Sequence, residues 1–270
     1  MEVVPVIKFL FFSFVLGAVI GSFLNVCIYR IPAGQSIVSP GSRCPNCLTP
    51  IRWYHNIPIL SWLLLKGRCA YCATPFSGRY PLVELLNGIL FALVLWRFGL
   101  NPVTLVFWVL VAGLVTISFI DFDHQIIPDV ISLPGIPVGF LCSFVIPWVS
   151  WQDSLAGILL GGGTLLVIAL GYELLTGQEG MGFGDVKLLA MLGAFLGWTA
   201  IFPTIFLGSV FGSLVGIPLM LIKKADRRLA IPFGPFLAAG AMSYLFFVAF
   251  WAPLMAWYLE ILGYWWHSMF

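Results

Sequence analysis

Long apolar runs alternate with short polar breaks along this chain, and most of the runs are long enough to cross a bilayer. A transmembrane helix needs about 20 consecutive apolar residues. Such runs fall at residues 6–29, 82–98, 102–120, 130–149, 155–175, 186–200, 201–222 and 230–251. The pattern predicts an all-α membrane protein, a polytopic bundle of about eight transmembrane helices. The sixth run is short, and Gly197 with Pro203 blurs its border with the seventh. The exception to the pattern is a polar stretch at residues 30–80, which holds four of the six cysteines. The expected organisation is a first transmembrane helix at 1–29, a loop domain at 30–81 and a transmembrane domain at 82–270. No internal repeat or low-complexity linker is apparent. The end of the chain is rich in Trp and Tyr (Trp257, Tyr258, Tyr264, Trp265, Trp266), as suits a membrane interface.

Composition agrees. Of 270 residues, 61% are hydrophobic and only 9% charged, against roughly 25% charged in soluble domains. Most of the surface therefore faces lipid. The net charge is +2, and no basic run suits nucleic acid. The first apolar run lacks a basic n-region and a small-residue cleavage site, so it is expected to be a retained helix and not a signal peptide.

The placement of basic residues gives an orientation. With alternating spans, residues 30–80, 121–129, 177–185 and 223–228 share one side. That side carries Arg30, Arg43, Arg52, Lys66, Arg68, Arg79, Lys223, Lys224, Arg227 and Arg228, with Lys187 just beyond it. The other has Arg97, and Lys8 lies near the start of the first span. The positive-inside rule makes the first side cytoplasmic.

Two acidic groups sit where apolar helices meet that side. Asp121-Phe122-Asp123 follows the third span and leads to Ile127-Pro128-Asp129; Gly180-Met181-Gly182-Phe183-Gly184-Asp185 precedes the sixth. Two converging carboxylates can hydrolyse a peptide bond. One, ionised, takes a proton from water, and the other, protonated, polarises the scissile carbonyl. Read alone, these residues suit solvated loop charges equally well, and Asp123, Asp129 and Asp226 suit that role better than catalysis. The glycines are expected to let the backbone turn sharply, and Pro128 to hold the segment after Asp121 extended.

Cys44-Pro45-Asn46-Cys47 and Cys69-Ala70-Tyr71-Cys72 are two C-x-x-C pairs separated by 21 residues. Four thiolates so spaced can surround one Zn²⁺ tetrahedrally. In a reducing cytoplasmic loop, disulfides are disfavoured. Cys27 and Cys142 lie in apolar spans, as small packing residues do.

The Gly182-Phe183-Gly184-Asp185 stretch resembles the G-x-G-D motif of membrane aspartic peptidases. The longer Gly180–Lys187 stretch resembles the type IV prepilin peptidase family. So do Asp121 with Ile127-Pro128-Asp129, Gly21-Ser22-Phe23-Leu24-Asn25-Val26 with Tyr29-Arg30, and Arg79-Tyr80-Pro81 with Glu84. The resemblance implies that Asp121 and Asp185 are catalytic, with Asp123 the nearest rival to Asp121, and that residues 82–270 are an aspartic peptidase domain. It implies cleavage of prepilin and pseudopilin leaders at the cytoplasmic face of the inner membrane, in type IV pilus or type II secretion systems. Members with the tetracysteine loop also methylate the new N-terminus using S-adenosyl-L-methionine. Gly67 and Arg68 fall at the family's methylation-linked element, and Glu84 is a further candidate. A zinc-knuckle turn with a solvated arginine accounts for Gly67 and Arg68 equally well, and a helix N-terminal charge for Glu84. A peptidase without methylation and a proton-coupled transporter using Asp121 and Asp185 are the alternatives.

Overall fold

The computed structural model describes residues 3–177, 182–223, 232–254, 256, 257 and 260. The basic residues Lys224, Arg227 and Arg228, Asp226, the Gly180-Met181 part of the glycine motif, and Tyr258, Tyr264, Trp265 and Trp266 lie outside them. The regular elements among the described residues are all helices, with two isolated β-bridges and no strand. They divide into two compact units, Met1–His124 and Gln125–Phe270.

The first unit contains α1 (Val3–Arg30), the short α2 (Leu60–Leu64), α3 (Arg79–Phe98) and α4 (Pro102–His124). Small residues let α1 and α3 approach closely. A Cβ added at Gly21 would lie 2.8 Å from the Glu84 Cα, one at Gly17 would lie 2.8 Å from the Asn87 carbonyl oxygen, and one at Gly88 would meet the Phe14 ring at 2.9 Å. Gly17 and Gly21 form a G-x-x-x-G step, which gives membrane helices close backbone packing where hydrophobic driving force is absent. Two amides fasten the pair: Asn87 donates to the Gly17 carbonyl at 2.7 Å, and Asn25 to the Tyr80 carbonyl at 3.1 Å. Trp108 of α4 donates to the Phe91 carbonyl of α3 at 2.9 Å and stacks on the Phe91 ring.

The second unit contains α5 (Asp129–Cys142), α6 (Trp151–Thr176), α7 (Phe183–Leu196), α8 (Ile201–Lys223) and α9 (Gly234–Phe246). Helix α7 is its core: every residue from Leu188 to Leu196 is buried. Gly193 of α7 touches Gly157 of α6 backbone to backbone, and a Cβ at Gly161 would lie 2.6 Å from the Leu189 carbonyl oxygen. Ser154 donates to the Ala194 carbonyl at 2.7 Å. Helix α6 starts with a capping box, Ser150 and Asp153 each bonding the other's backbone amide. Gly193→Leu has no space to enter. It should destabilise the protein by about 1–3 kcal/mol or more, read as a lower thermal midpoint in detergent.

Among the described residues, five helices are long and apolar enough to cross a membrane, or six if the pair Gly234–Phe246 and Val248–Leu254, bent by 92°, is one span. The chain is a multi-pass membrane protein, but the expected eight spans are not confirmed. The shortfall lies in α5 and α7, each 14 residues long, or about 21 Å at 1.5 Å per residue. Pro134 and Pro137 sit within α5, and Gly197, at φ 79°, ends α7.

Candidate functional site

Asp121 lies on the last turns of α4 and is buried, 5% exposed. The helix runs on through His124 and stops at Gln125, which takes φ 54°. The helix thus runs three residues past Asp121, and the break expected ahead of Pro128 falls at residues 125–128, where Pro128 is extended and caps α5. Asp123 is occupied otherwise. Arg79, the first residue of α3, donates to both of its carboxylate oxygens and to the Phe119 carbonyl at 2.9 Å, with its guanidinium over the Phe119 ring. This clamp fixes the end of α4 that carries Asp121 against the start of α3.

Asp185 lies half-buried in the first turn of α7. Its amide donates to the Gly182 carbonyl at 3.2 Å. Gly182 is extended, at φ −71° and ψ 138°, and Gly184 is helical, so neither makes the sharp turn expected of it. The requirement at Gly184 is space, because a Cβ there would lie 2.9 Å from the Ile127 Cβ. One turn on, Lys187 donates to both Asp129 oxygens at 2.8 and 2.9 Å. Gly184 against Ile127 and Lys187 against Asp129 thus hold the start of α7 beside the start of α5. Each aspartate has an ion-paired residue two positions later that fastens its helix end to a neighbour. Asp121 belongs to the first unit and Asp185 to the second.

The cysteines converge in the first unit. The Sγ atoms of Cys44, Cys47, Cys69 and Cys72 all lie within 4.8 Å of one another. Cys44 to Cys72 is 3.7 Å and Cys47 to Cys69 is 4.0 Å. A Zn–S bond of about 2.3 Å in a regular tetrahedron requires sulfurs about 3.8 Å apart, so the donor set fits that ion. All four are free thiols. The Thr74 hydroxyl and amide beside Cys72 pull its thiol down to about 5. Cys44 moves the other way: the Cys47 amide lowers it, but burial and the neighbouring thiols push it up to about 11. Four thiolates at this separation repel one another, and a divalent cation relieves that repulsion.

The loop contains a repeat that the reading of the sequence missed. Residues 44–50 are C-P-N-C-L-T-P and residues 69–75 are C-A-Y-C-A-T-P. The two turns match bond for bond. Cys44 donates to the Thr49 carbonyl as Cys69 does to Thr74, Leu48 to Cys44 as Ala73 to Cys69, and Ile51 to Ser42 as Phe76 to Gly67. Arg43 bridges Pro50 as Arg68 bridges Pro75. Leu48 and Ala73 both take left-handed φ, 58° and 57°. The signal was the shared C-x-x-C-x-T-P pattern, and it makes Arg43 the counterpart of Arg68.

Beside this loop lies a cavity of about 720 Å³ lined by Glu84 and Arg68, together with Arg43, Trp62, Phe76 and Asn25. Glu84, the sixth residue of α3, is buried, and accepts the Ile59 amide at 2.7 Å. It is not a first-turn charge. Gly67 does not line the cavity. It takes φ 65°, and a Cβ there would meet the Trp62 ring at 2.9 Å, so it seats the indole that does. Trp53 is 80% exposed and does not pack the loop. His55 is half-buried between Tyr54 and Tyr71.

Fold and site together define a polytopic helical membrane protein with a double cysteine knuckle and two aspartates, each at an anchored helix end. The comparisons with known proteins give the family. Residues 15–98 match the bacterial peptidase A24 N-terminal domain, and residues 108–217 the type IV leader peptidase family. A prepilin leader peptidase/N-methyltransferase of Stutzerimonas stutzeri is 40% identical over 255 residues, covering 86% of this chain and 88% of that protein. One of Neisseria gonorrhoeae is 41% identical over 245 residues, covering 82% and 84%. The chain belongs to the type IV leader peptidase family. No solved structure matches it.

Proposed function

We propose that this chain is a bifunctional prepilin-processing enzyme. It cleaves the leader from type IV prepilins and pseudopilins, then methylates the newly exposed α-amino group with S-adenosylmethionine. Family membership along most of the chain carries this reading. The residues supply a chemistry for it. Asp121 and Asp185 act as a pair: one activates water and the other, protonated, polarises the scissile carbonyl. The pair titrates as a unit, so the two roles are not divided between them. The bidentate clamp on Asp123 favours Asp121 as the first member, because Asp123 already holds α4 to α3. Both aspartates sit at helix ends and not mid-span, which argues against a proton-carrying transporter.

Residues 30–81 form the tetracysteine loop domain, following the first transmembrane helix, and residues 82–270 carry the peptidase. Cys44, Cys47, Cys69 and Cys72 hold one structural Zn²⁺, which closes the two knuckles on each other. Metal analysis of purified protein should find about one zinc per chain, and Cys72→Ser should lose it. Metal-free protein with both activities intact would contradict the assignment.

Methylation belongs to the cavity beside the knuckles. Arg68 and Glu84 line it and Gly67 seats its Trp62 wall. Its volume falls in the range of small-ligand sites, about 300–1,000 Å³. The protein resides in the bacterial inner membrane, with residues 30–80 in the cytoplasm. A cysteine placed at exposed Ser36 should resist an impermeant thiol reagent in intact cells and react after permeabilisation. Efficient labelling in intact cells would invert the orientation.

A further inference from the structure

The cavity has a buried acidic group and a basic rim. Glu84 is 7% exposed and takes two hydrogen bonds, from the Ile59 amide and the Ser22 hydroxyl, both neutral donors. No lysine, arginine or histidine among the described residues pairs with it. A carboxylate withdrawn from water without a cation is costly, and a cationic ligand relieves that cost. Arg43 and Arg68 line the same cavity from matched positions on the two knuckles, and both are exposed. Negative charge inside and positive charge at the rim suit a ligand that carries charge of both signs, with its cationic centre at Glu84. Trp62 and Phe76 add aromatic surface, which suits a nucleobase.

S-adenosylmethionine has this character: a sulfonium, an amino-acid zwitterion and an adenine. In methyl transfer the lone pair of the substrate's neutral amine forms the N–CH₃ bond. The S–CH₃ bond breaks with its electron pair going to sulfur, and the amine's surplus proton leaves to solvent. The donor therefore loses its sulfonium charge and becomes a neutral thioether.

We propose that the Glu84 carboxylate is the counter-charge of the sulfonium, so that the cavity binds the charged donor more tightly than its thioether product. The inference rests on the assignment of methylation to this cavity. Its consequence is product release: the transfer itself removes the attraction that held the donor.

The test is equilibrium binding of S-adenosylmethionine and S-adenosylhomocysteine to the full-length protein in detergent, apart from any turnover. Wild type should prefer the donor. Glu84→Gln keeps an acceptor for the Ile59 amide but removes the charge. It should weaken donor binding by about tenfold or more and change product binding by less than about threefold. Glu84→Asp keeps the charge and should retain much of the preference. Equal loss of both ligands in Glu84→Gln, or like behaviour of the Asp and Gln variants, would mean a structural role and overturn the inference alone. Wild type that binds neither ligand would overturn the cavity assignment as well. Zinc content of each variant reports whether the loop has stayed folded.

Discussion

Asn at either Asp121 or Asp185 should abolish prepilin cleavage, with a loss of about a thousandfold or more, while the protein stays in the membrane. Asn preserves size but cannot exchange the proton that the proposed pair would share. The double variant should be no worse than either single one, because residues that act as a unit are not additive. Asp123→Asn supplies the contrast. It weakens a half-exposed clamp to Arg79, with side chains 36% and 33% accessible, and such pairs contribute about 1 kcal/mol or less. Cleavage should then persist within about tenfold of wild type. The checking measurement is single-turnover cleavage of a model prepilin by each purified variant. An inactive Asp123→Asn beside an active Asp121→Asn would transfer the role from one residue to the other.

Gly67→Val should separate the two activities. The backbone there is left-handed, at φ 65°, where a β-branched residue is strained. The new side chain would also displace the Trp62 indole from the cavity wall. Methyl incorporation should fall by about a hundredfold or more, with cleavage within about threefold of wild type. The converse variant is Asp185→Asn, which should still methylate a substrate supplied already cleaved. The free α-amino group has a pKa near 8, so a neutral fraction exists at cytoplasmic pH without help from the aspartates. Failure of Asp185→Asn to methylate that substrate, under conditions where wild type does, would make the two sites one.

Much of this was legible in the sequence because a bilayer imposes a simple rule: apolar runs become helices. The paired C-x-x-C spacing likewise announced the four-sulfur cluster, and the runs before Asp121 and after Asp185 placed both at helix ends. What failed depended on side-chain company. Nothing in the apolar pattern of residues 130–149 says that α5 stops at 14 residues, although the sixth run, 186–200, already reads short, as the 14 residues of α7 are. Packing of α7 among its neighbours, and a left-handed Gly197, decide that. Gly184 read as a turn residue but is a spacing residue against Ile127, which requires a contact 57 positions away in the chain. Glu84 read as a charge at a helix start, and only the loop folded back over α3 puts it in a cavity. The matched arginines Arg43 and Arg68 were visible in principle, through the C-x-x-C-x-T-P repeat.

The central claim is that one chain cleaves and then methylates. Its most direct test is mass spectrometry of a model prepilin incubated with purified protein and S-adenosylmethionine. The expected product is mature pilin of a single cleavage site, heavier by one methyl group on its N-terminal residue. Omitting the methyl donor should leave the same cleavage without the added mass. A substrate that emerges intact, while the protein is folded and zinc-loaded, would contradict the account. So would methylation that appears on the uncleaved precursor.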